Sequence, residues 1–237
     1  MFTLTGKAVR KAGLTLAGAA LILGLATAWA DAAFAAQVGS GHGGMVGDPA
    51  GAAPYWRQQT LDDCGLMAAA DVIGQLTNRE VTEPEITAVA QTLPSRVHPG
   101  PVYTLPADAD AGDANRTGRG TDPRDLPTVL AQYGIRAAFT AGGDDAMGTL
   151  ERYLAGGHKV IAGVNAELIW GMPVEITDGY GNPAADHAVV VTGIDTATGQ
   201  VHLNDSGTPF GKDETVSVEA FVKSWAAGGD SMIVTLS

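Results

Sequence analysis

Residues 186–205, DHAVVVTGIDTATGQVHLND, decide the fold. Ala188–Ile194 is a short β-branched run, and Gln200–Asn204 is a second. Thr196–Gly199 between them is turn-forming, so the segment reads as two strands joined in a hairpin. Lys159–Val164 and Met232–Leu236 have the same character and bounding residues, which places further strands on either side.

Upstream, the periodicity changes. Leu66, Met67, Ala70, Ile73 and Leu76 recur at helical spacing, which predicts a helix from about Cys64 to Leu76. Thr82-Glu83-Pro84-Glu85 has the form of a capping box opening a second helix, with Thr82 as N-cap and Glu85 reaching back. A third helix is expected from Asp122-Pro123 to Gly134, and a fourth from Ala146 to Ala155, stopped by Gly156-Gly157. A last helix, Val218 to Ala226, sits behind Ser217. Helices precede strands without βαβ alternation. That order predicts an α+β fold, an N-terminal helical half packed on a C-terminal antiparallel sheet.

Outside this region the chain carries less pattern. Residues 1–36 combine Lys7, Arg10 and Lys11 with an apolar run from Ala12 to Ala28 and small-residue sites at Ala28-Trp29-Ala30 and Ala33-Phe34-Ala35. This is the form of a signal peptide, with an uncleaved membrane anchor as the alternative. A secreted or cell-envelope location in a bacterium is therefore expected. Residues 37–53 are rich in Gly and Ala and read as a flexible linker, so the domain is expected to occupy 54–237. Residues 98–120 read as a long surface loop, whose Asp108, Asp110 and Asp113 lack the glycine and glutamate of a calcium loop.

The chain has 14 basic and 26 acidic residues, a net charge of −12. With no basic stripe, it is unsuited to binding nucleic acid through phosphate contacts. No histidine pair has metal-ligand spacing, and one cysteine cannot build a zinc cluster, so no metal or cofactor is expected. A monomer is the expected state.

Cys64 is the only cysteine, an unusual feature for an exported protein. It lies where Thr60-Leu61-Asp62-Asp63 becomes helix. The free N–H groups and helix dipole there favour thiolate, the nucleophilic form. Inert packing is the plainer alternative. His187 stands at the head of an apolar strand, which would hold its ring rigidly toward a cleft. If the hairpin forms, Asp205 returns beside His187, where a carboxylate could fix the imidazole tautomer. Gln58 could supply a side-chain N–H for an oxyanion beside the Cys64 backbone N–H, with adjacent Gln59 as the alternative. His98, His158 and His202 lack such company.

These residues resemble a known family. Gln58-x5-Cys64-Gly65 with Leu66-Met67-Ala68-Ala69-Ala70, then Asp186 to Gly193, then Val201-His202-Leu203-Asn204-Asp205, are similar to peptidase C39-like proteins of the papain-like superfamily. Gly120-Thr121, Tyr133-Gly134-Ile135, Leu154-Ala155-Gly156-Gly157 and Val218-Glu219-Ala220-Phe221 before Trp225 extend the likeness over residues 55–236. The resemblance implies a papain-like fold and a cysteine peptidase with Cys64, His187 and Asp205 as triad and Gln58 in the oxyanion hole. The implied substrate is a peptide or cell-wall amide. Leu66-Met67 departs from the Pro-Ala that many members carry after Cys-Gly, which bears on substrate preference. Other readings are a cell-wall amidase of the NlpC/P60 type, suggested by Asp63-Cys64-Gly65-Leu66, an acyl transferase, and a binding domain that has lost turnover.

Overall fold

A computed structural model describes residues 44–105 and 120–236, which belong to one compact unit. The expected signal segment, residues 37–43 of the linker, and Asp108, Asp110 and Asp113 of the long loop lie outside the described residues. Among the described residues no helix is long and apolar enough to cross a membrane.

Seven strands are described: β1 (Met45–Gly47), β2 (Ala137–Ala141), β3 (Val160–Val164), β4 (His187–Asp195), β5 (Gln200–Asn204), β6 (Glu214–Ser217) and β7 (Ser231–Thr235). They form one antiparallel sheet in the order β2-β7-β3-β4-β5-β6, with β1 also paired to β4. The helices are α1 (Pro49–Ala52), α2 (Cys64–Thr77), α3 (Glu83–Thr92), α4 (Leu126–Ala131), α5 (Ala146–Ala155), α6 (Ala166–Ile169) and α7 (Val218–Ala226).

The unbroken apolar run in β4 has a direct cause: the strand is covered on both faces. Val190 packs with Ile161 and Ile233 against Leu66, Met67, Ile73 and Val129 from α2 and α4. Val189 and Val191 pack with Val160, Ala162 and Val164 against Leu150, Phe221 and Trp225 from α5 and α7. The fold is α+β and papain-like as expected, with helices on both faces of the sheet.

Helix α2 is the central element, with every residue from Gly65 to Gly74 buried. Its carboxyl end closes on Asn78 in the left-handed conformation, whose N–H returns to the Gly74 carbonyl. At α3, the Thr82 hydroxyl accepts from the Glu85 N–H, as a cap should. Glu85 itself does not reach back to Thr82; its carboxylate pairs with Arg79 instead. A nearby guanidinium is a stronger partner than a neutral N–H, so only half of the expected box forms.

Residues 44–53, read from composition as part of a flexible linker, are ordered. Met45, Val46 and Gly47 pair with Asp195, Ile194 and Gly193. Gly47 has φ +95, and a Cβ there would lie 2.5 Å from the Thr192 carbonyl oxygen. The glycine that looked like flexibility is what lets β1 approach β4. The Asp48 side chain then caps α1 by accepting from the Gly51 N–H at 2.9 Å.

Candidate active site

The hairpin predicted from residues 186–205 forms, but with one irregularity that matters. Asp195 faces Gln200 and Gly193 faces His202, whereas Val191 faces Leu203, so Thr192 is the extra residue of a bulge. Continuing the register past Val190–Asn204 sets Asp205 opposite Val189, on the same face as His187. Without that extra residue Asp205 would lie opposite Val190 and point to the other side of the sheet. The bulge therefore puts carboxylate and imidazole on one face.

His187 Nε2 lies 2.6 Å from Asp205 Oδ1, and both side chains are buried. Asp205 is held from several directions. Its Oδ1 also accepts from the Gly207 N–H at 2.7 Å, and Oδ2 accepts from Trp170 Nε1 at 2.9 Å. Its backbone carbonyl accepts from Trp56 Nε1 at 2.6 Å. Burial opposes charge on Asp205, yet the bonds from His187, Trp170 and Gly207 outweigh it and lower its pKa. Burial likewise opposes the imidazolium, but hydrogen bonding and charge from Asp205 and Cys64 raise the His187 pKa above the ordinary imidazole value. With Nε2 committed to Asp205, Nδ1 is the ring nitrogen left for Cys64.

Cys64 is the first residue of α2, half-buried and free of disulfide. Leu66 and Met67 donate back to the Asp63 carbonyl, while the N–H groups ahead of them have no helical acceptor of their own. Cys64 and His187 together line two adjoining cavities. One, of about 220 Å³, is polar and includes Gln59, Asp62, Glu167, Trp170 and Gly207. The other, of about 360 Å³, is walled by Leu126, Phe139, Ile161 and Ile233, with Arg124 and Asp122 also on its lining.

The glutamine in the cleft is Gln59, not Gln58. Gln58 is exposed and lines neither cavity. Gln59 Nε2 donates to the Leu61 carbonyl at 2.9 Å, its Oε1 accepts from Ser206 Oγ at 2.7 Å, and its N–H donates to the Ser206 carbonyl at 2.9 Å. Neighbouring residues of an extended chain face opposite ways, and Ser206 selects the second glutamine. Sequence spacing could not separate the two.

Trp170 and Gly207 were not legible as site residues. The Trp170 ring lies 5.5 Å from the His187 ring, tilted at 55°, and covers the bond to Asp205. A Cβ on Gly207 would sit 2.9 Å from His187 Cε1 and 3.0 Å from Trp170 Cζ2. Gly207→Ala must displace one ring or the other. A kcat loss of about 100-fold is expected, since a displacement near 1 Å at a reacting group costs about that much. Steady-state kinetics check this, with the loss falling on kcat.

The helix carrying Cys64 and the strand leading to Asp205 are also tied directly. Asn204 Nδ2 donates to Asp71 Oδ2 at 2.8 Å and to the Ala52 carbonyl at 3.1 Å. Burial pushes the Asp71 carboxyl up to about 6, against the opposing bonds from Gln75 and Asn204. Asn204→Ala should cost about 2 kcal/mol, because it leaves a buried carboxylate oxygen without its donor. A lower urea midpoint with an unchanged m-value would register it. Elsewhere, His158 Nδ1 lies 2.7 Å from the Thr235 carbonyl, and His202 pairs with Asp213 at 2.8 Å. Neither lines the cavities at Cys64.

Comparison with known proteins bears on the fold and the family. The chain is 54% identical over 235 residues to uncharacterized proteins of Mycobacterium tuberculosis and Mycobacterium bovis, covering 96% of this chain and 96% of each relative. A crystal structure assigned as a C39-like peptidase from Bacillus anthracis superposes with a TM-score of 0.54 at 17% identity, over 77% of this chain and 94% of that one. At that identity the likeness is one of fold. The model of the Peptidase_C39 like family matches residues 51–233, nearly all of the described chain, and the protein belongs to that family.

Proposed function

We propose that the protein is an exported cysteine hydrolase that cleaves a peptide or cell-wall amide bond. The observation that carries this reading is that Cys64 and His187 share one cleft, with Asp205 bonded to the far nitrogen of the imidazole. His187 takes the Cys64 proton, and the sulfur attacks the amide carbonyl carbon. The developing oxyanion meets the Cys64 backbone N–H and the Gln59 side-chain amide, which has a second N–H beyond the one given to Leu61. The imidazolium then protonates the leaving nitrogen and the C–N bond breaks. Water, activated by the same imidazole, releases the acid from the thioester. Asp205 orients the ring and stabilises its charge throughout.

Export rests on the basic and apolar N-terminal sequence. The family membership supports hydrolase chemistry of the cysteine-peptidase type. The test is to incubate the purified full chain and its Cys64→Ala form with peptide and peptidoglycan libraries. New amino termini or released amines should form with the wild type alone. Products that persist in the variant, or no products with either form, contradict the reading. Adding an amine acceptor separates transfer from hydrolysis by the mass of the product.

A further inference from the structure

Asp63, the residue before Cys64, stands at the N-cap of α2, yet its side chain caps nothing. It is 1% exposed, and neither carboxyl oxygen meets a donor. A buried carboxylate with no donor is a costly group, and it demands an explanation. The neighbour acting most strongly on it is another carboxylate, Glu83, at the first position of α3.

Glu83 has a visible task. Its Oε1 accepts from the Thr60 N–H at 2.6 Å and the Leu61 N–H at 3.0 Å, and its Oε2 accepts from Thr60 Oγ1 at 2.6 Å. These three bonds fix the loop that delivers Cys64 to the cleft. The bonds also keep Glu83 ionised, holding its pKa down despite partial burial. Asp62 on its own loop also acts on Asp63, and Tyr103, from the segment following α3, feels Asp63, Asp62, Glu83 and Cys64 together. Tyr103 is fully buried, and its hydroxyl lacks a partner. No cation is among the groups acting most strongly on Asp63. Two carboxyl groups can be partners only if one of them holds a proton. Glu83 already accepts three bonds as a carboxylate and keeps acceptor capacity at Oε2, so the proton belongs on Asp63.

We propose that Asp63 is a positioning residue that stays protonated in the working protein and donates to Glu83, latching the Thr60–Asp63 loop to α3 and setting Cys64 at the tip of α2. Loss of that proton to solvent turns the latch into a carboxylate pair that repels itself, and the loop loosens. Burial and the Glu83 charge push the Asp63 carboxyl up to about 7, which centres the release near neutral pH. The catalytic consequence rests on the proposed hydrolase reading; the protonation itself does not.

The sign follows from linkage. The unfolded chain loses the Asp63 proton near 4 and the folded chain only near 7. Stability therefore falls as pH rises between those values and stays lowered above them. Asp63→Asn keeps a donor toward Glu83 and removes the titration.

The experiment has two arms on the full chain. In the first, Tm is followed from pH 4 to pH 9 for wild type and Asp63→Asn, and aspartate side-chain carboxyl carbons are followed by NMR in the wild type. The difference in Tm should grow in favour of the variant up to about pH 7 and then level. One carboxyl should titrate near 7, vanish in Asp63→Asn, and titrate lower in Glu83→Gln. Asp71, pushed up to about 6, titrates in wild type and variant alike; a pH-independent difference in Tm together with no aspartate carboxyl whose elevated titration disappears in Asp63→Asn overturns the proposal. This arm needs no substrate, so its outcome is separate from that of the hydrolase reading. In the second arm, wild-type kcat/KM should fall about tenfold per pH unit above 7 relative to Asp63→Asn, as the protonated fraction does. A constant ratio of the two across pH 6 to 9 removes the catalytic consequence.

Discussion

Cys64→Ala is expected to abolish hydrolysis, with a loss on the order of 10⁶-fold in kcat, the size seen when a nucleophile that works as part of a unit is removed. The argument is chemical before it is structural. The chain has no second thiol. Ser206, next to Asp205 in the chain, spends its hydroxyl as a donor to Gln59 Oε1. The fold should survive the change, because Cys64 is half-buried at a helix tip and alanine is a better helix former. Circular dichroism and Tm separate loss of the sulfur from loss of structure. Residual turnover above about one part in 10⁴ of the wild-type rate would place the chemistry elsewhere.

Asp205→Asn is the second large effect, about 10⁴-fold in kcat with little change in KM. The Asp205 oxygens accept from three donors: the His187 ring, the Trp170 indole and the Gly207 N–H. An asparagine offers one acceptor oxygen and presents an amide N–H₂ to the remaining donors. If its oxygen keeps Trp170, the amide faces His187 Nε2 and forces the ring proton onto Nδ1. That nitrogen then cannot accept the Cys64 proton. Asp205→Glu should not rescue, since Asp205 is fully buried and has no space for another methylene. Pre-steady-state measurement of acyl-enzyme formation would locate the loss in the first chemical step.

The same pair sets a stability window. Asp205 titrates below its ordinary value, so its contribution is present above the unfolded carboxylate pKa and is lost as pH falls through the folded one. His187 titrates above its ordinary value, so its contribution is present below the unfolded imidazole pKa and is lost as pH rises through the folded one. Between those limits the pair is charged and bonded. A second carboxyl, Glu214, feels this arrangement. Burial and the Asp205 charge push it up to about 7, and its Oε2 is buried without a partner.

Much of the architecture could be read from residue patterns because the strongest signals were physical ones. The limits of α5 at Ala146–Ala155 and of α7 at Val218–Ala226 agree with those expected from cap residues and terminal glycines. The strands of the hairpin were legible because β-branched runs between turn residues have few other uses. The unread parts have identifiable causes. Strand β1 is three residues long and β6 is four, too short for any period to emerge. Strand β2, with sequence AAFTA, is rich in a residue that carries no β signal.

At the site, the hairpin argument brought His187 and Asp205 into one neighbourhood. The bulge at Thr192, which decides their common face, left only Gly193 as a signal, an isolated glycine inside the strand run. Gln59 displaces Gln58 from the cleft because of a bond to Ser206, a residue distant in the chain. Trp170 sits in a stretch without pattern, and only tertiary contact brings it over His187.

The most direct check is chemical bridging of the native full chain with 1,3-dibromoacetone, a three-carbon reagent with an electrophile at each end. The sulfur of Cys64 is expected to react first and the imidazole of His187 second, giving a single cross-linked Cys64–His187 peptide on digestion and mass spectrometry. Alkylated Cys64 recovered with no bridge to His187, or bridged to another residue, would contradict the account.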